Sequence, residues 1–382
     1  MNALVTASVK LAGKHVTGWQ GNSALDATFI AVLGKGGKSD EGVPYSVDFD
    51  ANWYIRTGDH NGKGKAREKR FYGYELELAA MIRNHPDDDA DSTDFPLLFA
   101  AVGYHPPSEI TRAPRMMYEH LTDVGHPAGF VAVDRAYNGL HVDNFASPLT
   151  ALGHRFMFDY KINQLGTRAS YEQFILVEGQ WYVHCKRGTL IDAERDFREG
   201  RITEHERNAR IDERERFRLK PKGRPDGDGF QRYFVPELDD DEYVDRITGE
   251  ILPRPTSKTV SIPGTVGLKY RQHFPFRSKQ WIKYYGLRST VEGANAYLKS
   301  GHHEDIANPY RRPGRGYAYQ YLMATLGVVG GNIRKLKTFL DRHEAPRDPK
   351  SPRRKARRRS DLLQPMRAKP LDGRRTRHPS RT

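Results

Sequence analysis

Strand-type runs crowd into the first half of this chain, helical stretches wait until its last quarter, and a charged segment separates them. That order limits the folds open to it. Ser23–Val32 is the first run. Phe71–Ile82 alternates before turning apolar, while Pro96–Val102 and Gly129–Val133 have the short, unbroken apolar character of strands buried on both faces. Ile110–Leu121 reads as a helix with Pro114 near its start. Arg155–Tyr160 follows, and then Phe174–Val177 and Trp181–Cys185 flank Glu178-Gly179-Gln180, a hairpin signal. Residues 186–250 are charged throughout, have few apolar anchors, and read as surface helix and loop. Pro253–Pro275 is Pro-rich with short strand-prone pieces. Helix resumes near Lys279, with Ser278 as its N-cap and Gly301 just past its end. A last helix is expected from about Tyr317 to Leu340, interrupted at Gly330-Gly331. Strands, then helix and strand, then an insertion, then helices describe an α/β domain.

Charge points to a polyanionic partner. The chain of 382 residues carries a net +14, and residues 345–382 alone hold 14 Lys/Arg against 3 Asp, a net of +11. That tail, with Arg353-Arg354-Lys355 and Arg357-Arg358-Arg359, reads as a solvated, disordered basic arm that attracts nucleic acid without regard to sequence. Cys185 is the single cysteine, which excludes an internal disulfide framework and a multi-cysteine zinc site. No run reaches 18 apolar residues, and MNALVTASVKLAGKH is a poor signal peptide, so a cytoplasmic protein is the expectation.

One stretch concentrates chemistry. Tyr285, Arg288, Glu292 and Lys299 stand at offsets 0, 3, 7 and 14, which on one continuous helix fall within an arc of roughly 60°. A carboxylate, two cations and a phenol on one face suit a metal ion and a phosphate backbone together. Gly286 and Gly293 cost about 1 kcal/mol each in a helix interior, and either a close approach or chance accounts for them. Asp134 follows the apolar run Phe130–Val133, at the strand end where α/β sites gather. Asp26 lies inside the first strand-like run, and Asp48 and Asp50 lie in Val47–Trp53. Two-metal phosphoryl transfer needs several carboxylates converging on two divalent cations, with hard oxygen ligands for Mg2+ or Mn2+. Gly34–Lys38 lacks phosphate-loop spacing and reads as a turn, and His302-His303 reads as a polar helix-end turn.

The Tyr-x2-Arg-x3-Glu-x6-Lys spacing resembles the helix signature of DDE transposases from bacterial insertion sequences. The resemblance extends over about residues 20–340. It takes in Asp26-x-Thr28, the apolar strand leading to Asp134-Arg135-Ala136-Tyr137, Asp48-x-Asp50-Ala51-x-Trp53 before Tyr72-Gly73-Tyr74, and Asn332-x-Arg334-Lys335-Leu336. It implies an RNase H-like mixed sheet with flanking helices, interrupted by an insertion before the last catalytic helix. The corresponding segments are a short start (1–20), the first part of the core (21–165), the insertion (166–275), the helical part of the core (276–344) and the basic tail (345–382). It implies that Asp26, Asp134 and Glu292 hold two Mg2+ (or Mn2+) ions, with Asp50 or Asp48 as alternatives for the first aspartate. Tyr285, Arg288 and Lys299 would contact DNA phosphates. The implied activity is metal-dependent cleavage and strand transfer on transposon-end and target DNA, by a homodimer formed on DNA, in the bacterial nucleoid. Relatives of that kind carry a helical DNA-binding region before the first aspartate. Only 25 residues precede Asp26, so that region is expected to be missing, and a relic that only binds nucleic acid, or an RNase H-like nuclease, stands as the alternative.

Overall fold

Strand β1 (Ser23–Ala31) is the axis of the molecule. In the computed structural model, which describes residues 1–38, 44–58, 67–88, 93–107, 112–184, 188–243, 251 and 254–344, it lies between one antiparallel and one parallel neighbour. β5 (Arg67–Met81) pairs with it antiparallel from Ser23↔Met81 to Ala31↔Gly73. β7 (Phe130–Val133) pairs with it parallel, Ser23↔Val131 to Leu25↔Val133, and β8 (Arg155–Phe158) continues parallel to β7. The other edge of β5 is shared end to end by β4 (Asn52–Gly58) and β6 (Phe99–His105). The result is a six-stranded mixed sheet in an α/β fold. β2 (Gly37–Lys38) and β3 (Pro44–Tyr45) form a separate small ribbon.

Helices cover both faces of the sheet. On one, Leu25, Ala79, Met81, Val131 and Val133 pack with Met117 and Leu121 of α2 (Ala113–Asp123) and Leu149 of α3 (Ala146–Ala151). On the other, Ala24, Ile30, Leu78 and Ala132 meet Val291, Ala294 and Leu298 of α8 (Ser289–Lys299) and Ala324 and Val328 of α9 (Tyr317–Glu344). Strict alternation along β1 sends odd-numbered residues to the first face and even-numbered ones to the second. Each buried Leu, Ile or Val contributes about 1.5–3 kcal/mol. α1 (Asn2–Lys10) packs on β6 and α9, and Asn332 of α9 fastens this corner: its amide bonds Phe99 N–H and C=O and the Ser8 hydroxyl, all at 2.7–3.0 Å.

The segment between β8 and α8 has a core of its own. β9 (Thr167–Tyr171), β10 (Phe174–Val177) and β11 (Gln180–Val183) form one sheet, and β12 (Lys220–Pro221), β13 (Phe230–Phe234) and β14 (Thr259–Pro263) another. Their apolar faces meet in a cluster including Leu176, Trp181, Phe217 and Ile262. The turn expected at Glu178-Gly179 is present, with both residues at positive φ (46° and 91°), as a two-residue hairpin turn requires. The charged stretch after it is more than surface helix and loop. α4 (Gly188–Ile191), α5 (Ala193–Arg198) and α6 (Glu204–Arg214) bury an ionic network. Arg214 and Glu178 pair at 2.6 Å with side chains 1% and 0% exposed, and buried Glu194 takes Arg198 and Arg277 at 2.8 and 3.1 Å. Arginine stems pack while their heads pair, so a sequence with few apolar anchors still forms an interior.

Two expected helices differ. The helix through residues 279–299 divides into α7 (Lys279–Gly286) and α8, joined at Leu287-Arg288 by tightened i→i−3 hydrogen bonds, Leu287 N–H to Tyr284 O and Arg288 N–H to Tyr285 O. Ser278 does cap α7, its hydroxyl accepting from Trp281 N–H. α9, by contrast, runs unbroken through Gly330-Gly331. A β-carbon at Gly331 would stand 2.8 Å from Leu298 and one at Gly330 2.6 Å from Glu304, so these glycines allow close packing and do not break the helix. The helix expected at Ile110 is described only from Ala113, and Cys185 and residues 345–382 lie outside the described residues. Among the described residues, no helix is long and apolar enough to cross a membrane.

Candidate functional site

Register places the first two aspartates side by side. Leu25 pairs with Val133 across the parallel β1–β7 ladder, and the next residue on each strand is Asp26 and Asp134. Neighbouring strands lie about 4.8 Å apart, and even-numbered β1 residues face α8, so both carboxylates start from the same level on the same face. Asp134 sits just past the end of β7, its carboxylate accepting from Ala136 N–H at 3.2 Å. Asp159 occupies the equivalent position after β8, because Phe158 pairs with Val133.

α8 closes over this strand end. Its apolar residues Val291, Ala294 and Leu298 anchor it to the sheet, which turns Glu292, Asn295 and Lys299 along its neighbouring stripe. Asn295, 7% exposed, donates to Asp26 Oδ2 at 2.9 Å. Arg288 engages the Glu292 carboxylate one turn away. Lys299 makes no ion pair among the described residues; burial lowers its pKa, and the Asp26 charge opposes that. Tyr285 turns inward from the break between α7 and α8 and stacks on Trp281, with centroids 4.5 Å apart. Burial pushes its hydroxyl up, Arg288 draws it down, and Asp159 and Asp134 raise it further. The four signature residues therefore do not form one straight stripe. Glu292 and Lys299 share α8, Arg288 caps it, and Tyr285 belongs to α7.

The electrostatics converge on Asp26. Burial, then the charges of Asp134 and Glu292, push its pKa up to about 6, while Arg288 works against them. Three carboxylates repelling one another in a half-buried setting favour a proton or a cation among them. Hard oxygen donors of this kind suit Mg2+ or Mn2+. Among the described residues, no three His, Cys, Asp or Glu side chains stand close enough together to hold a metal ion as they lie. In this arrangement Glu292 is committed to Arg288. The donor set fits a divalent cation in chemistry, and Glu292 must leave Arg288 to complete it.

Asp48 and Asp50 serve another purpose. Asp48 is 1% exposed and accepts from Gly316 N–H at 2.9 Å; Asp50 accepts from Tyr317 N–H at 3.4 Å. They hold the first amides of α9, where a carboxylate offsets the helix dipole. Asn52 lies level with Gly73 and Ala31, five residues along β1 from Asp26, or roughly 17 Å. The structure thus separates this pair from Asp26, Asp134 and Glu292. Among the described residues nothing lies within 4 Å of a β-carbon at Gly293, so no close approach there explains that glycine.

Asn295 and Asp159 escaped the sequence reading. Asn295 had a signal, since Arg288, Glu292, Asn295 and Lys299 follow one another at helical spacings of four, three and four. Asp159 had one only through strand register. No protein-family model matches the chain, and neither curated proteins nor solved structures yield a match.

Proposed function

We propose that this chain is the catalytic core of a DDE transposase, an RNase H-like domain that cleaves DNA and transfers strands in the presence of Mg2+ or Mn2+. The observation that carries the reading is that Asp26, inside β1, follows Leu25 while Asp134, just past the end of the parallel strand β7, follows Val133, its cross-strand partner, with both beneath a helix that supplies Glu292 and whose charge reaches Asp26. In this reading Asp26, Asp134 and Glu292 hold the metal ions. When bound, these ions supply Lewis-acid stabilisation of charge on the scissile phosphodiester. Asn295 fixes the Asp26 carboxylate through its 2.9 Å bond. Arg288, once Glu292 turns away, presents a planar fork to a phosphate, and Lys299 presents a point charge. Tyr285 packs against Trp281 and supports Arg288 from below, the guanidinium 6.0 Å from its ring centre. The DNA partner is the element's end and its target, engaged by a homodimer assembled on DNA.

The Arg288–Glu292 pair also favours a second reading, a protein that binds nucleic acid and does not cut it. Nicking of supercoiled and terminal-repeat DNA in Mg2+ and Mn2+ separates the two. The parent chain should nick, and Glu292→Gln and Asp134→Asn should bind DNA as well but nick at least about a hundredfold more slowly. Arg288→Ala should weaken binding and cleavage together. A parent chain that binds without nicking under either metal leaves the second reading; equal nicking by Glu292→Gln removes the carboxylate site.

A further inference from the structure

The edge of β5 opposite β1 is shared by two strands that meet end to end. β4 begins at Asn52, opposite Gly73, and β6 ends at His105, opposite Glu75. Where they meet a cleft of about 690 Å3 opens, lined by Phe49, Asp50, Asn52, Tyr104, His105 and Tyr317 among others. Most of its polar groups are already used. His105 bonds Glu77 and Pro106 O at 2.9 Å each, and Asn52 bonds Trp53 N–H and Pro107 O. The Asp50 carboxylate is the exception: its one hydrogen bond among the described residues is the 3.4 Å contact from Tyr317 N–H. Phe49 stands at the mouth, 78% exposed, and Tyr104 and Tyr317 add further aromatic wall, their rings tilted at 52° with centroids 5.7 Å apart. The surroundings are anionic. Asp48 is buried beside Asp50, and Glu75 and Glu77 stand behind His105. Arg312 is buried and spends its donors on Ile306 O, Ala31 O and Gln320.

An open carboxylate between aromatic faces in an acidic setting is the chemistry that recognises a guanidinium, which stacks and pairs at once. We infer that this cleft binds arginine side chains, and that its occupant is the chain's own basic segment, residues 345–382. The charge is complementary: +11 in that segment against the acidic cleft. The reach is sufficient. α9 starts at the cleft and its 28 residues carry the chain about 40 Å away. Arg357 lies 13 residues beyond Glu344, which spans about 45 Å when extended. Arg374 and Arg375 lie 30 and 31 residues beyond and return with slack. The inference stands independently of the proposed metal chemistry, because no residue of the cleft belongs to that site.

Carbodiimide coupling of carboxylates to lysine in the full-length protein, mapped by mass spectrometry, tests this. Lys350, Lys355 and Lys369 lie within the segment. Asp50 should couple to Lys355 or Lys369 in preference to exposed acids such as Asp123 and Asp228, with a yield independent of protein concentration. Phe49→Ala, which leaves both α9 caps in place, should lower that yield about two- to fivefold, the worth of an exposed cation–π contact. Replacing Arg353, Arg354 and Arg357–Arg359 by Gln removes the guanidiniums without adding amines and should lower coupling at the cleft by at least a similar factor. Coupling spread evenly over surface acids, or unchanged in Phe49→Ala, overturns the inference. Coupling between two chains that grows with concentration assigns the cleft to a second copy and overturns the intramolecular form.

Discussion

Asp26 is the residue whose behaviour most directly reports on the site. Its pKa of about 6 stands above the ordinary carboxylate value of 3.8, so the folded protein holds a proton there that the unfolded chain has already released. The sign follows: this group's contribution to stability is full below about pH 4, declines as pH climbs to about 6, and is flat above. Under the proposed function a divalent cation would compete with that proton. Mn2+ affinity measured calorimetrically should therefore rise about tenfold per pH unit below about 6 and level off above it. Asn295→Ala removes a donor from the charged form and should move that inflection to higher pH, with DNA binding unchanged. An inflection that stays in place shows that Asn295 only packs. At this scale the sequence was informative where spacing carries the message. Glu292 and Asp134 could be singled out from helical and strand-end positions. The purpose of Asp48 and Asp50 could not, because it depends on α9 starting beside them, 268 and 267 residues later.

Elements tell a different story about charge. The stretch that includes α5 and α6 looks solvated in sequence because only Leu190, Ile211 and Phe217 and a few others mark an interior. Its arginines do the rest through Glu178, Glu194, Asp159 and Asp196. The buried Arg214–Glu178 pair makes this measurable. Arg214→Leu strands a carboxylate with no solvent and should cost about 3–5 kcal/mol in urea unfolding. The double change Glu178→Gln with Arg214→Met should recover most of that loss. Arg198 ties α5 to Asp159 at 2.8 Å and to Tyr160 O at 2.6 Å, so the segment is fastened to the sheet beside Asp134. The division of α7 from α8 was invisible in sequence because its backbone stays right-handed helical at Leu287 and Arg288. Only the hydrogen-bond spacing changes, and no proline or cap marks it.

For the whole molecule, strand order was legible and strand partners were not. Apolar runs announce that strands exist. Nothing local says that Ser23–Ala31 takes a parallel partner more than a hundred residues away, since pairing is decided by burial on both faces at once. The basic tail was legible as charge alone. Deleting residues 345–382 removes +11, so the logarithmic salt dependence of non-specific DNA binding should become shallower, while the cooperative unfolding of the rest is retained. A steep salt slope surviving the deletion would locate the phosphate contacts in the body of the chain.

The Asn332 clamp sets a schedule as well as a shape. It joins Ser8 of α1 to Phe99 on β6 through α9, the last of the described helices to be synthesised. A ribosome adding about 5–20 residues per second needs on the order of 10–40 s to pass from Asp134 to Glu344. Throughout that interval the nascent chain carries two neighbouring aspartates, then a segment with its own core, and still lacks the helix that fastens its corner. A chain released before α8 would therefore hold Asp26 and Asp134 without Asn295 or Glu292, and one released before α9 would lack the clamp on its corner.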